Sequence, residues 1–142
     1  MESAKRVISG TWGELWVDGE LIAECTACQA KYTKNKETVT MCGQMVNDKK
    51  TVSLDGTGSL TLNKVYSRFH DSIDSILQGR DSRVSIISNL ADPDSYGAER
   101  IALYNVSFDD ETLADWAGGK LGTTTHPFTF TRHKFLDIIQ PE

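Results

Sequence analysis

The sequence predicts a mainly β fold, an antiparallel β-sandwich or barrel with one packed α-helix. Alternating apolar and polar residues recur along most of the chain, and this is the pattern of half-buried strands. Turn dipeptides such as Asp18-Gly19 separate those stretches. Only about residues 67–78 have the clear apolar stripe of an amphipathic helix. Because such a stripe must be buried, we expect this helix to cover the sheet.

The composition is that of one ordinary globular domain spanning residues 1–142. The chain has 39% hydrophobic and 25% charged residues, which argues against wholesale disorder. A formal net charge of −5 argues against a general nucleic-acid binder. No signal peptide and no transmembrane segment can be recognised. We therefore expect a protein made in the cytoplasm, whose three cysteines are free thiols.

The first strands are predicted to form a hairpin around Asp18-Gly19. A type I′ turn needs positive φ at both central residues, and Asp-Gly tolerates this. In the longer second strand, the small and apolar residues change from odd to even positions near residues 27 and 28. This change predicts a β-bulge or a change of strand partner there.

Residues 41–51 interrupt the strand pattern. Gly43 and the Asn47-Asp48 pair predict a loop or the protruding tip of a hairpin. The following stretch, residues 51–63, has a face without a single apolar side chain if it is one strand. A hairpin that turns at Asp55-Gly56 is the alternative interpretation.

The helix at about residues 67–78 is predicted from apolar residues spaced three and four apart, and Gly79 offers a left-handed stop. A second, short helix is predicted near residues 110–117. Ser107 and Asp110 form a capping box before it, and Leu113 and Trp116 lie one turn apart on it. We expect this helix to end at Gly118.

The remaining segments are predicted to be strands. Residues 83–91 and 100–108 flank the loop "DPDSYGAE", and residues 123–136 alternate aromatic side chains with threonines. We expect these strands to complete the sheets around the helix.

The residues that could support chemistry are better explained by structure. Along a strand, Cys25 and Cys28 are roughly 10 Å apart, too far to hold one zinc ion. The three histidines, His70, His126 and His133, form no recognisable cluster. The loop after residue 91 lacks the carboxylates that calcium requires at the fifth and twelfth positions. The sequence thus predicts no catalytic residues, no metal and no cofactor.

The order of features along nearly the whole chain resembles a known family. The segments "GTWGELWVDGELIAEC", "GTGSLTLNKVYSRF" and "PFTFTRHKFLD" carry the resemblance, and "DPDSYGAERIAL" and "SFDDETLADWAGGK" are its most specific parts. Together they resemble the tail tube protein of PBSX-type contractile phage tails and of related R-type bacteriocins. Phage and bacteriocin remain alternatives.

The resemblance implies a tube subunit with an Hcp-like fold and no enzymatic activity. Six copies would form a ring, and rings would stack into a tube inside a contractile sheath. The implied partners are further copies of the chain, the sheath protein, and the baseplate and tube-initiator proteins. DNA would pass through the lumen if the particle is a true phage. The subunit would leave the cell in a released tail or bacteriocin particle.

Two groups of residues are candidate assembly sites in such a tube. As a hypothesis, the loop of residues 41–51 reaches the adjacent ring and pairs charges there. An ordinary solvated loop is the alternative. Six copies would carry a formal charge of roughly −30, and small hydroxyls would suit either the lumen wall or a solvent face. The candidate contact residues are Cys42, Gly43, Val46, Asn47, Asp48, Lys49 and Lys50. The candidate polar strand is Thr51, Ser53, Asp55, Thr57, Ser59 and Thr61.

A monomeric β-barrel that binds a ligand is the alternative function. It predicts an aromatic-lined pocket that draws on Trp12, Trp16 or Trp116. Packing in the core or at a subunit contact is the competing interpretation of these tryptophans, because both settings favour large aromatic side chains.

Overall fold

A computed structural model describes residues 3–65, 76–94 and 97–140. Short 3-10 turns, Ala4–Arg6 and Gly10–Trp12, precede the first strand. Eight strands follow in the described residues: β1 (Gly13–Val17), β2 (Glu20–Leu21), β3 (Cys25–Val39), β4 (Asp48–Asn63), β5 (Val84–Leu90), β6 (Glu99–Phe108), β7 (Thr123–Phe130) and β8 (Arg132–Asp137).

The strands form two antiparallel sheets that share β6. Along the main path the order is β2-β1-β5-β6-β7-β4-β3, and β8 also pairs with β6. The first part of β6 pairs with β5 and β8, whereas its last residues, Ser107 and Phe108, pair with β7. One strand therefore passes from the first sheet (β2, β1, β5, β6, β8) to the second (β6, β7, β4, β3).

The core lies between the inner faces of these sheets. Phe128, Leu60, Ile86 and Val106 are completely or almost completely buried. Leu15, Ile22, Leu62, Leu103 and Phe130 extend the same cluster. Buried residues come from both sheets, and the predicted mainly β, antiparallel fold is confirmed.

The first hairpin has the predicted turn. Val17 pairs with Glu20, and the two residues between them, Asp18 and Gly19, have φ of 49° and 82°. The Asp18 carboxylate also accepts a hydrogen bond of 2.8 Å from the backbone N–H of Ser85. The turn is thus joined to the start of β5.

The β3–β4 hairpin is a single long unit. β4 is continuous across Asp55-Gly56, so the alternative of a turn there is wrong. The pairing shifts between Cys25 and Ala27, and again between Asn35 and Lys36. The first shift lies next to the predicted bulge at residues 27 and 28. Beyond Gly56, which pairs with the last residue of β7, the hairpin continues as a two-stranded arm, defined here as residues 33–55.

β6 bends at Asn105, whose φ is 58°, and passes from the first sheet to the second after Val106. The Asn105 side-chain amide donates a hydrogen bond of 3.1 Å to the Thr131 hydroxyl oxygen. Opposite this point, the β5–β6 pairing shifts between Val84 and Ile86. Asparagine tolerates a left-handed backbone better than most residues, so it suits this corner.

The predicted short helix near residues 110–117 is wrong. Residues 109–122 have no helix and link β6 to β7 as an irregular segment. Leu113 and Trp116, which would form the apolar stripe, are 82% and 86% exposed. A helix this short is marginal in water unless its apolar side is buried, and the subunit buries neither side chain.

The last predicted strand is divided into β7 and β8 at Thr131. β7 pairs with β4 and β6, whereas β8 pairs with β6 in the first sheet. Most of the predicted helix at 67–78 lies outside the described residues. Ile76 and Leu77 are helical, and Gly79, with φ of 85°, is the expected left-handed stop.

Candidate functional site

The outer face of the second sheet consists of small and polar side chains. In register, Lys31 of β3 faces Thr57 of β4, which faces Thr129 of β7. We call this surface the polar face; it comprises Ala27, Gln29, Lys31, Thr33, Asp55, Thr57, Ser59, Thr61, Thr125, Pro127 and Thr129. It has one lysine and one aspartate, so its formal charge is zero.

Most of the predicted polar strand belongs to this surface. Thr57, Ser59 and Thr61 lie side by side on it and are half-buried. Ser53 and Asp55 continue along the arm, where the Asn35 amide donates hydrogen bonds of 2.9 Å to Ser53 Oγ and to Asp55 Oδ2.

Thr51, the first residue of the predicted polar strand, does not share the face of Ser53 and Asp55. Asn35 pairs with Ser53 and Lys36 pairs with Thr51, so Val52 is an extra residue in β4. An extra residue changes which face the following side chains occupy. No pattern in the sequence predicts this bulge, because Val52 fits the simple alternation of its neighbours.

The predicted contact residues lie at the end of the arm. Cys42, Gly43, Val46 and Asn47 belong to the connection between β3 and β4. Asp48, Lys49 and Lys50 instead begin β4, opposite Val39, Thr38 and Glu37. The loop is therefore shorter than the predicted 41–51.

The arm exposes a series of large apolar side chains. Met45 is 101% exposed and Val46 is 83% exposed. Val39, Met41, Val52 and Leu54 are also exposed. A two-stranded hairpin is marginal by itself in water, and exposed apolar residues of this kind mark interaction surfaces. The arm thus has the character of an unpartnered contact element.

β3 is the free edge of the second sheet. It pairs with β4 on one side, and no other strand in the described residues pairs with its opposite side. All fifteen residues except Cys25 and Asn35 are exposed. A long edge of unpaired backbone groups is a template for pairing with another chain.

A groove of about 460 Å³ lies beneath the start of β3. Its apolar walls come from Leu15, Leu21, Ile22 and Leu90, and Cys25 and Cys28 of β3 close one side. The tryptophans do not line it in the part of the chain that the structure describes. This groove is therefore not the aromatic-lined pocket that a ligand-binding module predicts.

The two cysteines share one side of β3, as a bulged strand predicts. Desolvation raises the pKa of the Cys28 thiol to about 11, and the nearby Cys25 adds to this, whereas a hydrogen bond with Ser88 opposes it. Desolvation also raises the pKa of Cys25. Although Cys28 is exposed as a residue, its thiol is held protonated by the groove. Such thiols suit packing rather than metal or redox chemistry.

The other candidate chemical residues have structural partners. Asp92, expected in a turn rather than a calcium site, accepts hydrogen bonds from the backbone N–H groups of Ser9 and Asp94, and these lower its pKa. His126 is buried, and desolvation lowers its pKa. The positive charge of Lys64 lowers it further, by a smaller amount. Within residues 3–65, 76–94 and 97–140, no three potential ligands are grouped to hold a metal ion. No helix there is long and apolar enough to span a membrane.

Sequence reasoning missed the free edge and the groove. One signal was present, because polar residues occupy both parities of β3, including Gln29, Lys31, Lys34 and Lys36. A strand with polar residues on both sides is not covered within its own subunit. The groove has no such signal, since it depends on how β1 and β5 approach β3.

Comparison with known proteins gives concordant results. The model of a family described as phage tail tube protein matches residues 2–137. The phage-like element PBSX protein XkdM of Bacillus subtilis (strain 168) is 36% identical over 113 residues, covering 78% of this chain and 77% of the relative.

Two chains from cryo-EM structures of an extracellular contractile injection system (PVC) are similar in fold. One, from the sheath/tube terminator in the extended state, has a TM-score of 0.75 at 10% identity and covers 95% of this chain and all of its own. The other, from the sheath-tube complex in the extended state, has a TM-score of 0.72 at 11% identity, with coverage of 97% and 100%. These likenesses confirm the mainly β, antiparallel fold.

Proposed function

The chain belongs to the phage tail tube protein family, and we propose that it is the repeating subunit of the inner tube of a contractile phage tail or R-type bacteriocin. Family membership makes it a structural component of a phage-like tail and confirms the expectation that it is not an enzyme. The proposal concerns how copies of the chain assemble, with residues 1–142 acting as one tail tube domain.

The exposed edge strand β3 is the observation that carries the proposal. Fifteen residues of strand with almost no internal cover are an aggregation hazard for a protein that acts alone. Six copies arranged head to tail would close into a ring and would cover each such edge with the next subunit. The second sheets of the six subunits would then line a common channel.

The polar face supplies the wall of that channel in this proposal. It exposes hydroxyls, one amide and a balanced pair of charges, and it offers no large apolar side chain. Such a surface has little affinity for a passing chain or solute. The net charge of −5 would therefore act elsewhere on the ring, because the polar face itself is neutral.

The arm supplies the contact between rings. It projects past the end of β7 and carries exposed Met45 and Val46 at its tip. With a rise of roughly 3.4 Å per residue, the strand part from residue 33 to residue 39 reaches on the order of 20 Å. The sheath, the baseplate and the tube initiator are the further partners of the proposed tube, and DNA would pass through it in a phage.

Electron microscopy of the purified chain at high concentration tests the tube directly. Rings or hollow rods of uniform diameter are the expected result, whereas compact particles of single-subunit size at every concentration would contradict it. Deleting residues 44–49 should give rings that fail to stack. Rods of normal length from that deletion would exclude the arm as the stacking element.

Cysteine labelling tests the lumen. Ser59→Cys would be introduced with Cys25, Cys28 and Cys42 changed to serine, and assembled rods would be treated with a small maleimide or with a large polyethylene-glycol maleimide. A lumen position reacts with the small reagent alone. Reaction with both would place Ser59 outside, and reaction with neither would place it between subunits.

A further inference from the structure

The irregular segment between β6 and β7, residues 109–122, exposes three large apolar side chains. Leu113 is 82%, Trp116 is 86% and Leu121 is 96% exposed. Tryptophan is costly to leave in water and is enriched at the centres of protein interfaces. The segment therefore has the composition of an anchor for another surface.

The groove beneath β3 is a matching acceptor on the same chain. It has a volume of about 460 Å³ and apolar walls that include Leu15, Leu21 and Leu90. An apolar segment and an apolar groove at different places on one molecule are the two halves of a head-to-tail contact.

The two features lie on opposite sides of the second sheet but at the same height. Cys25 and Cys28 of β3 pair with Leu62 and Leu60 of β4, which pair on their other side with Thr124 and His126 of β7. Segment 109–122 rejoins the sheet at that level, because Thr123 begins β7. The neighbour's groove would therefore meet this segment when the β3 edge of one subunit meets the β6–β7 side of the next.

Charge favours the same pairing. β3 carries three lysines and one glutamate: Lys31, Lys34, Lys36 and Glu37. Segment 109–122 carries four acidic residues and one lysine: Asp109, Asp110, Glu111, Asp115 and Lys120. These lysines lie farther along β3 than the groove, so their charge would act on the long-range approach of the two subunits and not on the seating of Trp116.

We propose that segment 109–122 of each subunit docks on the β3 side of the neighbouring copy, with Trp116 in that copy's groove. This proposal rests on the proposed ring and specifies the contact that closes it. Docking buries Leu113 together with Trp116, two side chains that the subunit leaves largely exposed to water.

Cross-linking within assembled particles tests the contact. Leu21→Cys, on the wall of the groove, would be combined with Trp116→Cys in a chain whose three native cysteines are serine. Mild oxidation of assembled rods or rings should link chains into a ladder that ends at the ring size. The matched control replaces Trp116→Cys by Ile138→Cys, another exposed apolar position, and should give no ladder.

Truncation gives a second, independent measurement. Trp116→Ala should leave the thermal stability of the free subunit unchanged but raise the concentration needed for assembly by at least about tenfold, as loss of a hot-spot anchor does. Ile138→Ala should leave that concentration unchanged.

The outcomes separate the two proposals. Rods from the unmodified chain, together with normal assembly of Trp116→Ala, would overturn the docking contact and leave the tube subunit in place. If the chain with Leu21→Cys and Trp116→Cys forms rods but no cross-link appears, the docking contact is likewise overturned and the tube subunit stays in place. Failure of the unmodified chain to form rings or rods under any condition would remove the proposed function, and the docking contact with it.

Discussion

The ring of Phe128 lies directly against the backbone of Gly58, so closely that a Cβ atom at Gly58 would stand 2.5 Å from the ring carbon Cζ. The carbonyl oxygen of Gln29 would be closer still. A Cβ atom at Gly56 would stand 3.1 Å from two ring carbons of Phe130 and closer still to the Phe130 carbonyl oxygen. In β4, glycine at alternate positions therefore makes room for two core aromatic rings that β7 supplies.

Gly58→Ala should destabilise the subunit by about 1–3 kcal/mol, because neither the backbone of β3 nor the buried ring can move away easily. The midpoint of urea unfolding measures this. Gly118→Ala is the matched control, since an added Cβ meets nothing within 4 Å there. Equal midpoints for the two variants would show that the ring can be displaced.

Asn105 should be more sensitive to alanine than to glycine. Asn105→Ala loses the hydrogen bond to Thr131 and places a Cβ at a φ of 58°, whereas Asn105→Gly loses the hydrogen bond alone. A left-handed backbone costs alanine about 1 kcal/mol, so we expect the alanine variant to be less stable by about that amount. Urea unfolding of both variants checks the order, and a glycine variant that is the weaker of the two would contradict it.

The stability of the subunit should fall as the pH drops below about 6.5 because of His126. Desolvation lowers its folded pKa, so the unfolded chain binds a proton first and acid favours unfolding. Above the unfolded pKa its contribution is constant, and it is lost as the pH falls through the folded pKa. Unfolding midpoints measured from about pH 7.5 to about pH 5.5 should decline less steeply in His126→Gln. His70 and His133 are present in both the original protein and the His126→Gln variant, so the difference between the two slopes reports on His126.

Cys28 should react slowly with iodoacetamide in the folded subunit. With a pKa of about 11, on the order of one Cys28 thiol in a thousand is ionised at about pH 8. Cys42 is exposed on the arm and serves as the internal comparison. Peptide mapping after brief labelling should find Cys42 modified first, and unfolding in urea should remove the difference. Equal labelling of the folded chain would contradict the desolvated thiol.

Replacing Met45 and Val46 by serine should separate stacking from folding. Both side chains are almost completely exposed, so the change in subunit stability should stay within about 0.5 kcal/mol. Stacking should fail, and electron microscopy should show single rings instead of rods. A loss of subunit stability of several kcal/mol would instead indicate that the arm is part of the fold.

The sequence predicted those parts of the fold that depend on local chemistry. The Asp18-Gly19 turn and the single glycine stop at Gly79 follow from backbone preferences, and the alternation of Phe128 and Phe130 identified β7. The transfer of β6 from one sheet to the other could not be predicted, because the turn at Asn105 interrupts no hydrophobic pattern.

The error at residues 110–117 has a different cause. Ser107, Asp110, Leu113 and Trp116 do have helical spacing, but local signals stabilise a short helix only when its apolar side is covered. Trp116 is exposed in the subunit, so burial of the apolar side does not stabilise the helix, and the local helical preference alone is too weak to form it. The assembly surfaces were similarly hard to find, since the groove exists only where β1, β3 and β5 come together.

The strand β6 has a mechanical consequence. Because it is hydrogen-bonded into both sheets, the layers cannot slide over one another without breaking its backbone pairing on one side. A force applied to one sheet is transmitted to the other along the covalent backbone of β6, and does not depend only on side-chain packing between the sheets. In a stack of such subunits under load, the contacts between subunits would therefore break before the fold of any one subunit.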